Sequence, residues 1–462
     1  MPRLAARRRR DMSEGMIFPR PLSRFLAGLF LCLLALSAAR AQVFHPVTFT
    51  LGNGLQVVVV ENRRAPIVTH MVWYRAGAAD EPPGKSGIAH FLEHLMFKGT
   101  ERLAPGEFSR VVARQGGRDN AFTSWDYTGY VQTIARDRLG LVMEMEADRM
   151  VNLRLAEDIV ATERDVILEE RRQVVENVPG ARLREQMNAA MFLNHPYGRP
   201  IIGWAHEIRA LTRADALDWY KTWYAPNNAV LIVAGDVSAP EVRALAETHY
   251  GPIPARAVPV RSRLAEPEPQ AARRVVLKDE RVRQPSLTRA YLAPSAQRGD
   301  TVHAYPLEVL ASVIGAQSGR IYRALVMDRQ LAVSAGAGYG SDAFDLTTFS
   351  FYASPRPGID IQVLETALDE EIAALLRDGV DAADVARAQS SLRDGAILAR
   401  DPLGAAPRSI GNELMTGKSI EEGEAWPARI AAVTVAEVNA AARAVLQERR
   451  SVTGLLLPEA RP

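Results

Sequence analysis

The chain repeats a helix-and-strand pattern, and this repeat limits its possible folds more than any other feature. Residues 211–236, LTRADALDWYKTWYAPNNAVLIVAGD, align without a gap with residues 433–458, VTVAEVNAAARAVLQERRSVTGLLLP, at an offset of 222. Each stretch predicts a threonine-capped amphipathic helix followed by a short apolar strand. FLEHL at 91–95 and PLEVL at 306–310 match at a similar offset of 215. Two matches at similar offsets indicate a duplication.

The segment that separates the two copies predicts a linker. Residues 252–274, PIPARAVPVRSRLAEPEPQAARR, are rich in proline, alanine and charge and have no apolar periodicity. We therefore predict an N-terminal half at 42–252, a linker at 253–274 and a homologous C-terminal half at 275–462. Strand patterns such as GLQVVVVEN and FDLTTFSFYAS alternate with helical stretches, so each half is expected to be a sheet covered by helices.

The first 41 residues have the order of a secretory signal. Eight arginines precede or flank FLAGLFLCLLALSAA, and ARA then precedes Gln42. The fifteen uncharged residues between Arg24 and Arg40 fall short of the roughly 20 that a membrane-spanning helix needs, although a membrane anchor is the alternative. A cleaved leader predicts a periplasmic protein without a stable anchor. Without residues 1–41 the formal charge is −4, which argues against a nucleic-acid partner.

The stretch GKSGIAHFLEHLMFKGT predicts a largely apolar helix that carries two histidines and a glutamate. At about 100° per residue, His90, Glu93 and His94 share one side of that helix, while Ile88 and Leu92 lie on the opposite side. Histidines at i and i+4 can bind one Zn²⁺, and the intervening carboxylate then lies beside the metal-bound water. The alternative is a core helix with two structural histidines. Because the only cysteine, Cys32, lies in the predicted leader, further metal ligands must be His, Asp or Glu.

A third ligand is predicted on the helix EDIVATERDVILEERRQVVENV. Its expected apolar stripe, Val160, Ile167 and Val174, contains Glu163 and Glu170. Carboxylates in a buried stripe are costly unless they are paired or bind a metal. Glu170 is the predicted ligand, because Glu169 is turned about 100° away towards solvent. Glu163, two turns earlier, is predicted to hold the other ring nitrogen of a ligand histidine. The alternative is that both glutamates face a neighbouring subunit.

These motifs resemble one known family. His-x-x-Glu-His, followed 76 residues later by the glutamate of ERDVILEE, is similar to the pitrilysin and mitochondrial-processing-peptidase family, in its bacterial short-chain branch. The stretches NAFTSWDYTGY, HPYGRPIIGW and YAPNNAVLIVAGDV also match. The resemblance covers residues 44–458. It implies an α+β fold of two homologous halves that close as a clamshell around a chamber.

The resemblance also assigns roles to residues of this chain. It implies that His90, His94 and Glu170 bind one zinc ion, that Glu93 is the general base and that Glu163 is the supporting carboxylate. The strand NAFTSWDYTGY corresponds to a sheet edge that pairs with the substrate backbone. Asn120, Ala121 and Phe122 are therefore predicted to bind substrate; an ordinary interior strand is the alternative.

One expected pair of residues is missing from the second half. Self-sufficient family members carry an arginine and a tyrosine seven residues apart, which steady the substrate and the developing oxyanion. In IYRALVMDRQLAVSAG these positions are Val326 and Val333. The substitutes considered, each shifted from the family positions, are Tyr322, Arg323, Arg329 and Tyr339. Losing an oxyanion donor costs about 10² to 10³ in turnover, so the chain alone is expected to be a poor enzyme.

The sequence thus predicts a periplasmic zinc endopeptidase that acts on peptides or unfolded segments. Its expected partner is a homologous sister subunit that lacks the zinc motif and supplies the arginine and tyrosine. A homodimer is the second choice for the assembly. The rival from another class is a non-catalytic assembly subunit of the same fold, which family relatives in respiratory complexes have become.

Overall fold

The computed structural model describes residues 44–399, 402 and 404–459, so the predicted leader lies outside the described residues. The N-terminal half forms a sheet with the strand order β1-β2-β6-β3-β5-β4, in which β2 and β6 are parallel and the other neighbours antiparallel. The strands are β1 (Val47–Thr50), β2 (Gln56–Glu61), β3 (Ile67–Tyr74), β4 (Arg118–Thr123), β5 (Thr128–Ala135) and β6 (Ala229–Gly235).

The C-terminal half repeats this arrangement without the outermost strand. Its sheet order is β7-β11-β8-β10-β9, and again one neighbouring pair, β7 and β11, is parallel. The strands are β7 (Arg273–Asp279), β8 (Ser286–Ala293), β9 (Ala332–Tyr339), β10 (Thr347–Pro355) and β11 (Ser451–Pro458). The predicted α+β fold, with two homologous halves that each contain a mixed sheet, is confirmed.

Helices cover both sheets. Those of the first half are α1 (Ile88–Leu95), α2 (Glu107–Arg114), α3 (Leu139–Val151), α4 (Glu157–Arg171), α5 (Pro179–Met191), α6 (Ala205–Ala210), α7 (Arg213–Trp223) and α8 (Ala239–His249). Those of the second half are α9 (Ala304–Gly315), α10 (Arg320–Tyr322), α11 (Ile361–Asp378), α12 (Ala382–Leu398), α13 (Ala405–Met415), α14 (Ile420–Glu424), α15 (Trp426–Ala432) and α16 (Val435–Val445). Within the described residues, none of these helices has both the length and the apolar character needed to cross a membrane.

The aligned repeat reappears as matched local structure. Helices α7 and α16 begin after Thr212 and Thr434, and each threonine side chain accepts a hydrogen bond from the backbone N–H three residues later. In both cases the third helical residue is acidic and bonds back to the threonine N–H, which completes a capping box. Each helix then leads to an interior strand of its sheet, β6 or β11, which is a member of the one parallel pair. The predicted threonine caps are therefore present in both copies.

The two halves also exchange one helix each. Helix α13 from the second half packs on β3 and β6, and helix α5 from the first half packs on β7 and β11. Gly411 lies so close to Trp73 that a β-carbon there would be 2.1 Å from the indole, and Gly454 meets Met187 at the same distance. Each half thus buries an apolar sheet face of the other, and a movement that parted the halves would expose both faces.

The segment between α8 and β7 forms buried ion pairs at the junction of the two halves. Residues 254–270 contain neither helix nor strand. Arg263 nevertheless has a side chain only 1% exposed, and it pairs with Asp80 at 3.0 Å and Asp126 at 2.8 Å. Tyr197 donates to Asp126 at 2.6 Å, and the backbone N–H of Phe344 in the second half also donates to Asp126. The segment therefore helps to join the halves.

Candidate metal centre

Helix α1 presents the two motif histidines because its opposite side is fixed in the core. Ile88, Leu92 and Leu95 are buried, whereas His90 and His94 remain partly exposed. The helix begins after Gly87, whose φ of 88° suits glycine. The predicted division of the helix into an apolar side and a histidine side is confirmed.

A carboxylate that the sequence analysis missed caps this helix. Glu81 accepts hydrogen bonds from the backbone N–H of Gly87 at 3.0 Å and of Ala89 at 2.9 Å. Burial raises the pKa of Glu81 well above its usual value, although the two N–H donors oppose this rise. The carboxyl oxygens satisfy N–H groups that the first helical turn leaves without partners. No spacing rule reveals this cap, because Glu81 precedes the helix by seven residues and reaches it through a loop.

Helix α4 carries the predicted third ligand and its neighbour, but the predicted stripe is wrong at its end. Val160, Glu163 and Ile167 are buried as expected. Val174 is instead 50% exposed, because residues 172–176 form a π-helical turn whose wider repeat shifts the side chains out of phase. The Glu170 side chain, predicted to be buried, is 37% exposed. Glu169 is exposed, as predicted.

The structure brings His90, His94 and Glu170 together. The Glu170 carboxylate oxygen Oε2 lies 3.7 Å from His90 Nε2 and 3.4 Å from His94 Nε2. One donor atom from each residue lies within 4.8 Å of the others, and no other such group of three occurs among the described residues. Zinc bonds of about 2.1 Å at tetrahedral angles separate donor atoms by about 3.4 Å. The two nitrogens and one oxygen therefore fit a zinc ion.

The two histidines differ in charge state. Burial and the neighbouring His94 lower the pKa of His90 to about 4, so its ring is neutral at physiological pH. For His94, burial lowers the pKa, but hydrogen bonds with Glu163 and Glu170 outweigh it and raise the pKa to about 9. The hydrogen bond with His94 also lowers the pKa of Glu170. A metal ion must therefore displace a proton from His94.

Glu163 fixes the orientation of His94. His94 Nδ1 donates to Glu163 Oε1 at 2.8 Å, which leaves Nε2 directed at Glu170. The other oxygen of Glu163 pairs with Lys98 Nζ at 2.5 Å. A carboxylate on the second ring nitrogen holds the tautomer that a metal ligand needs. Lys98 was not predicted, although it lies one turn beyond His94 on the same motif.

Glu93 lies beside the two histidines and is held by a strand. Its side chain is 8% exposed, and burial raises its pKa. Thr123, at the end of β4, donates its hydroxyl to Glu93 Oε2 at 2.6 Å. The other carboxylate oxygen, Oε1, accepts no hydrogen bond from the described residues and is available for a proton transfer. Thr123 follows the predicted substrate-binding residues directly, and it was missed because no motif rule pairs it with Glu93.

Strand β4 is an edge strand, so the alternative of an interior strand is wrong. The Ser124 N–H bonds to the Tyr127 carbonyl, and bonded pairs alternate along an antiparallel ladder. Ala121 and Thr123 therefore direct their backbone groups to the open edge. The Asn120 side chain accepts a hydrogen bond from the Ala121 N–H at 2.9 Å. Phe122 points to the other face of the sheet, where its ring lies 4.9 Å from that of Trp73.

The positions of the missing pair lie in the second half. Val326 is buried in a π-helical turn over residues 323–328, and Val333 is 48% exposed on β9. Among the substitutes considered, Arg329 pairs with Glu370, and the Tyr339 hydroxyl donates to the Pro294 carbonyl.

The other two substitutes also lie in the second half. Tyr322 packs against its core, and Arg323 lines a cavity with Val313 and Asp381. In the described part of the chain, none of the four substitutes forms a contact with the histidine pair or with Glu170.

Comparison with known proteins matches both halves. Residues 56–204 match the profile described as insulinase (peptidase family M16), and residues 210–392 match the peptidase M16 inactive domain. The zinc protease PqqE of Helicobacter pylori is 32% identical over 363 residues, which cover 77% of this chain and 80% of the relative.

Solved structures show the same fold. The crystal structure of a protease from Helicobacter pylori superposes with a TM-score of 0.83 at 28% identity and covers 89% of this chain and 99% of that one. The periplasmic protease PqqL from Escherichia coli gives a TM-score of 0.76 at 21% identity, with 90% of this chain covering 48% of that chain. The matched part of this chain thus corresponds to about half of the PqqL chain. On its matched halves, its relatives and its fold, this chain belongs to the insulinase, or M16, family of peptidases.

Proposed function

We propose that this chain is the zinc-bearing subunit of an endopeptidase that cleaves peptides or unfolded polypeptide segments. The observation that carries the proposal is the convergence of His90, His94 and Glu170 from two helices, with the buried Glu93 beside them. The three side chains would hold one zinc ion. When bound, zinc lowers the pKa of a coordinated water and polarises the substrate carbonyl.

Side chains of the protein transfer the protons of the reaction. Glu93 accepts a proton from the attacking water and delivers it to the departing amine. Its pKa, raised by burial, is closer to neutrality than that of an exposed glutamate, which suits both transfers. Thr123 occupies one carboxylate oxygen and so holds the other in a fixed direction. Glu163 and Lys98 keep the His94 ring in its ligand orientation.

The open edge of β4 supports a substrate-binding role for Asn120, Ala121 and Phe122. An extended peptide can add to this edge through a backbone hydrogen bond to the Ala121 carbonyl, and through the Ala121 N–H once the Asn120 side chain is displaced. Because Thr123 belongs to the same strand, a peptide paired there would lie directly beside Glu93. The three residues would contribute differently, since Asn120 covers the edge N–H and Phe122 packs against Trp73 on the face of the sheet away from the metal.

We further propose a sister subunit that supplies the arginine and tyrosine absent at Val326 and Val333. The correspondence of this chain to about half of PqqL supports a paired assembly. The clamshell would then close between this chain and its sister, because parting the two halves of this chain exposes both apolar sheet faces. A homodimer would leave both copies without the pair. The halves at 42–252 and 275–462, the 253–274 linker, the cleaved leader at 1–41 and the periplasmic location are part of the same proposal.

Replacing Glu93 with Gln tests the function. We expect E93Q to lose about 10² to 10⁴ in turnover of an unstructured peptide, the usual contribution of a general base, with stoichiometric zinc retained. Glu169→Gln is the matched control, since Glu169 is exposed and one residue from a proposed ligand. Cleavage should be measured with and without the sister subunit, and zinc by mass spectrometry. Retained activity in E93Q would refute the proposal, and a wild-type chain purified without zinc would favour the non-catalytic assembly subunit.

A further inference from the structure

The outward side of strand β4 carries positive charge that the proposed mechanism does not use. Arg118 and Asn120 are exposed, and Phe122 is half-buried on the same side of the strand. This assignment follows from the unbroken pairing of β4 with β5, because side chains alternate between the two faces. Thr123, by contrast, points to the metal side and contacts Glu93.

A second arginine reaches this side from the other half of the chain. Arg408 is exposed on the exchanged helix α13, and its guanidinium carbon lies 5.5 Å from the centre of the Phe122 ring. The ring is held in place because it packs against Gly129, where a β-carbon would come within 2.4 Å of it. The Phe122 ring thus holds the Arg408 guanidinium over the same face of the sheet, near the edge strand β4.

Among the described residues, neither arginine has an acidic partner. In the described part of the chain, no carboxylate lies within ion-pair distance of Arg118 or Arg408. Asn412, one turn beyond Arg408, contacts Asp342, but that carboxylate is paired with Lys418. The two guanidinium groups therefore offer positive charge that an incoming peptide can pair with.

We propose that this edge selects peptides with acidic side chains, which Arg118 and Arg408 recognise. The inference rests on the proposed peptidase function. In a peptide paired with β4, residues opposite Ala121 face the metal, and residues opposite Asn120 and Phe122 face outward. Outward-facing Asp or Glu side chains would lie beside the two guanidinium groups. The substrate class is thus an extended segment with carboxylates at alternate positions.

The test measures binding, so that it does not depend on turnover. The full-length E93Q chain is titrated with two fluorescein-labelled ten-residue peptides, one with glutamates at alternate positions and one with glutamines, and anisotropy is recorded at low salt. An exposed ion pair contributes about 0.2–1 kcal/mol, so two pairs predict about two- to 30-fold tighter binding of the acidic peptide. This preference should disappear at about 1 M salt, where charges are screened within about 3 Å.

Arginine variants assign the preference to its residues. In the E93Q chain, Arg118→Gln and Arg408→Gln should each reduce the ratio of the two affinities, and the double variant should abolish it. Arg443→Gln removes an exposed arginine from α16, which packs on elements of the second half, and should leave the ratio unchanged. Circular dichroism verifies that each variant is folded.

Two results would overturn the inference. Equal affinity for both peptides, or an undiminished preference in the double variant, would refute acidic selection while leaving peptide binding intact. Absence of binding by either peptide would refute it together with the edge-binding part of the proposed function.

Discussion

Replacing Glu163 with Gln should weaken zinc binding without touching a metal ligand. The substitution keeps the size of the side chain but removes the charge that holds His94 Nδ1 at 2.8 Å and Lys98 Nζ at 2.5 Å. Loss of a carboxylate that holds the second ring nitrogen of a ligand histidine typically lowers metal affinity by 10- to 100-fold. This corresponds to about 1.4–2.7 kcal/mol of binding free energy.

The size of the effect should depend on pH. Metal-free His94 has a pKa of about 9, so at pH 7 a proton competes with zinc by about 100-fold, and at pH 9 hardly at all. Zinc affinity of the wild type should therefore rise about tenfold per pH unit up to about pH 9. Glu163 contributes to the raised pKa, so E163Q suffers less proton competition below pH 9. The ratio of wild-type to E163Q zinc affinity should therefore be largest at pH 9 and smaller at pH 7.

The assay is competition for zinc against a chromophoric chelator at both pH values. Glu169→Gln is again the control, because Glu169 is exposed and contacts only its helical neighbours Gln173 and Arg172 among the described residues. An E163Q affinity equal to wild type at pH 9 would refute the reasoning. So would an equal loss in E169Q, because the effect would then be a general charge effect.

Three further predictions concern the junction of the halves and the general base. Gly411→Ala should lower the free energy of unfolding by about 1–3 kcal/mol through overpacking, whereas Gly395→Ala, where a β-carbon meets nothing within 4 Å, should be neutral or stabilising in a denaturant titration. Burial and the nearby Asp342 raise the pKa of Glu413 to about 7, so the folded protein loses stability as pH rises from 4.5 through 7 and this carboxyl group ionises. The free energy of unfolding of Glu413→Gln should therefore exceed that of the wild type by about 1–3 kcal/mol at pH 8 and by little at pH 4.5. Thr123→Val should lower kcat by about 10- to 100-fold with KM and zinc content unchanged, and Thr123→Ser, which keeps the hydroxyl, should restore kcat. A change in KM alone would contradict the role of Thr123 in positioning Glu93.

Much of the candidate centre was predictable because its ligands are local in sequence. His90, Glu93 and His94 share one side of a single helix, so helical geometry alone places them together. Glu170 was predicted from the cost of a carboxylate in an apolar stripe, and the structure brings it to the histidines even though part of that stripe is wrong. The predicted burial of Val174 was wrong because a π-helical turn changes the number of residues per turn, whereas the periodicity argument assumes one constant repeat.

Contacts between distant segments were not predictable. Thr123 meets Glu93 across 30 residues, and Glu81 caps α1 from outside the helix. Neither contact follows from a repeat or a spacing, because each depends on how a strand or loop packs on the helix. The same holds for Arg408, which reaches Phe122 from the other half of the chain.

The sequence by itself determined that this chain is a duplicated α+β protein with one intact His-x-x-Glu-His helix, because capping, periodicity and repeat spacing are local properties. Only the tertiary structure decided that each half covers the other's sheet with an exchanged helix. It also decided which side chains meet at the open edge of β4. Burial of apolar faces is non-directional and acts between segments far apart in the chain, so a sequence pattern reveals that a face must be covered but not which helix covers it.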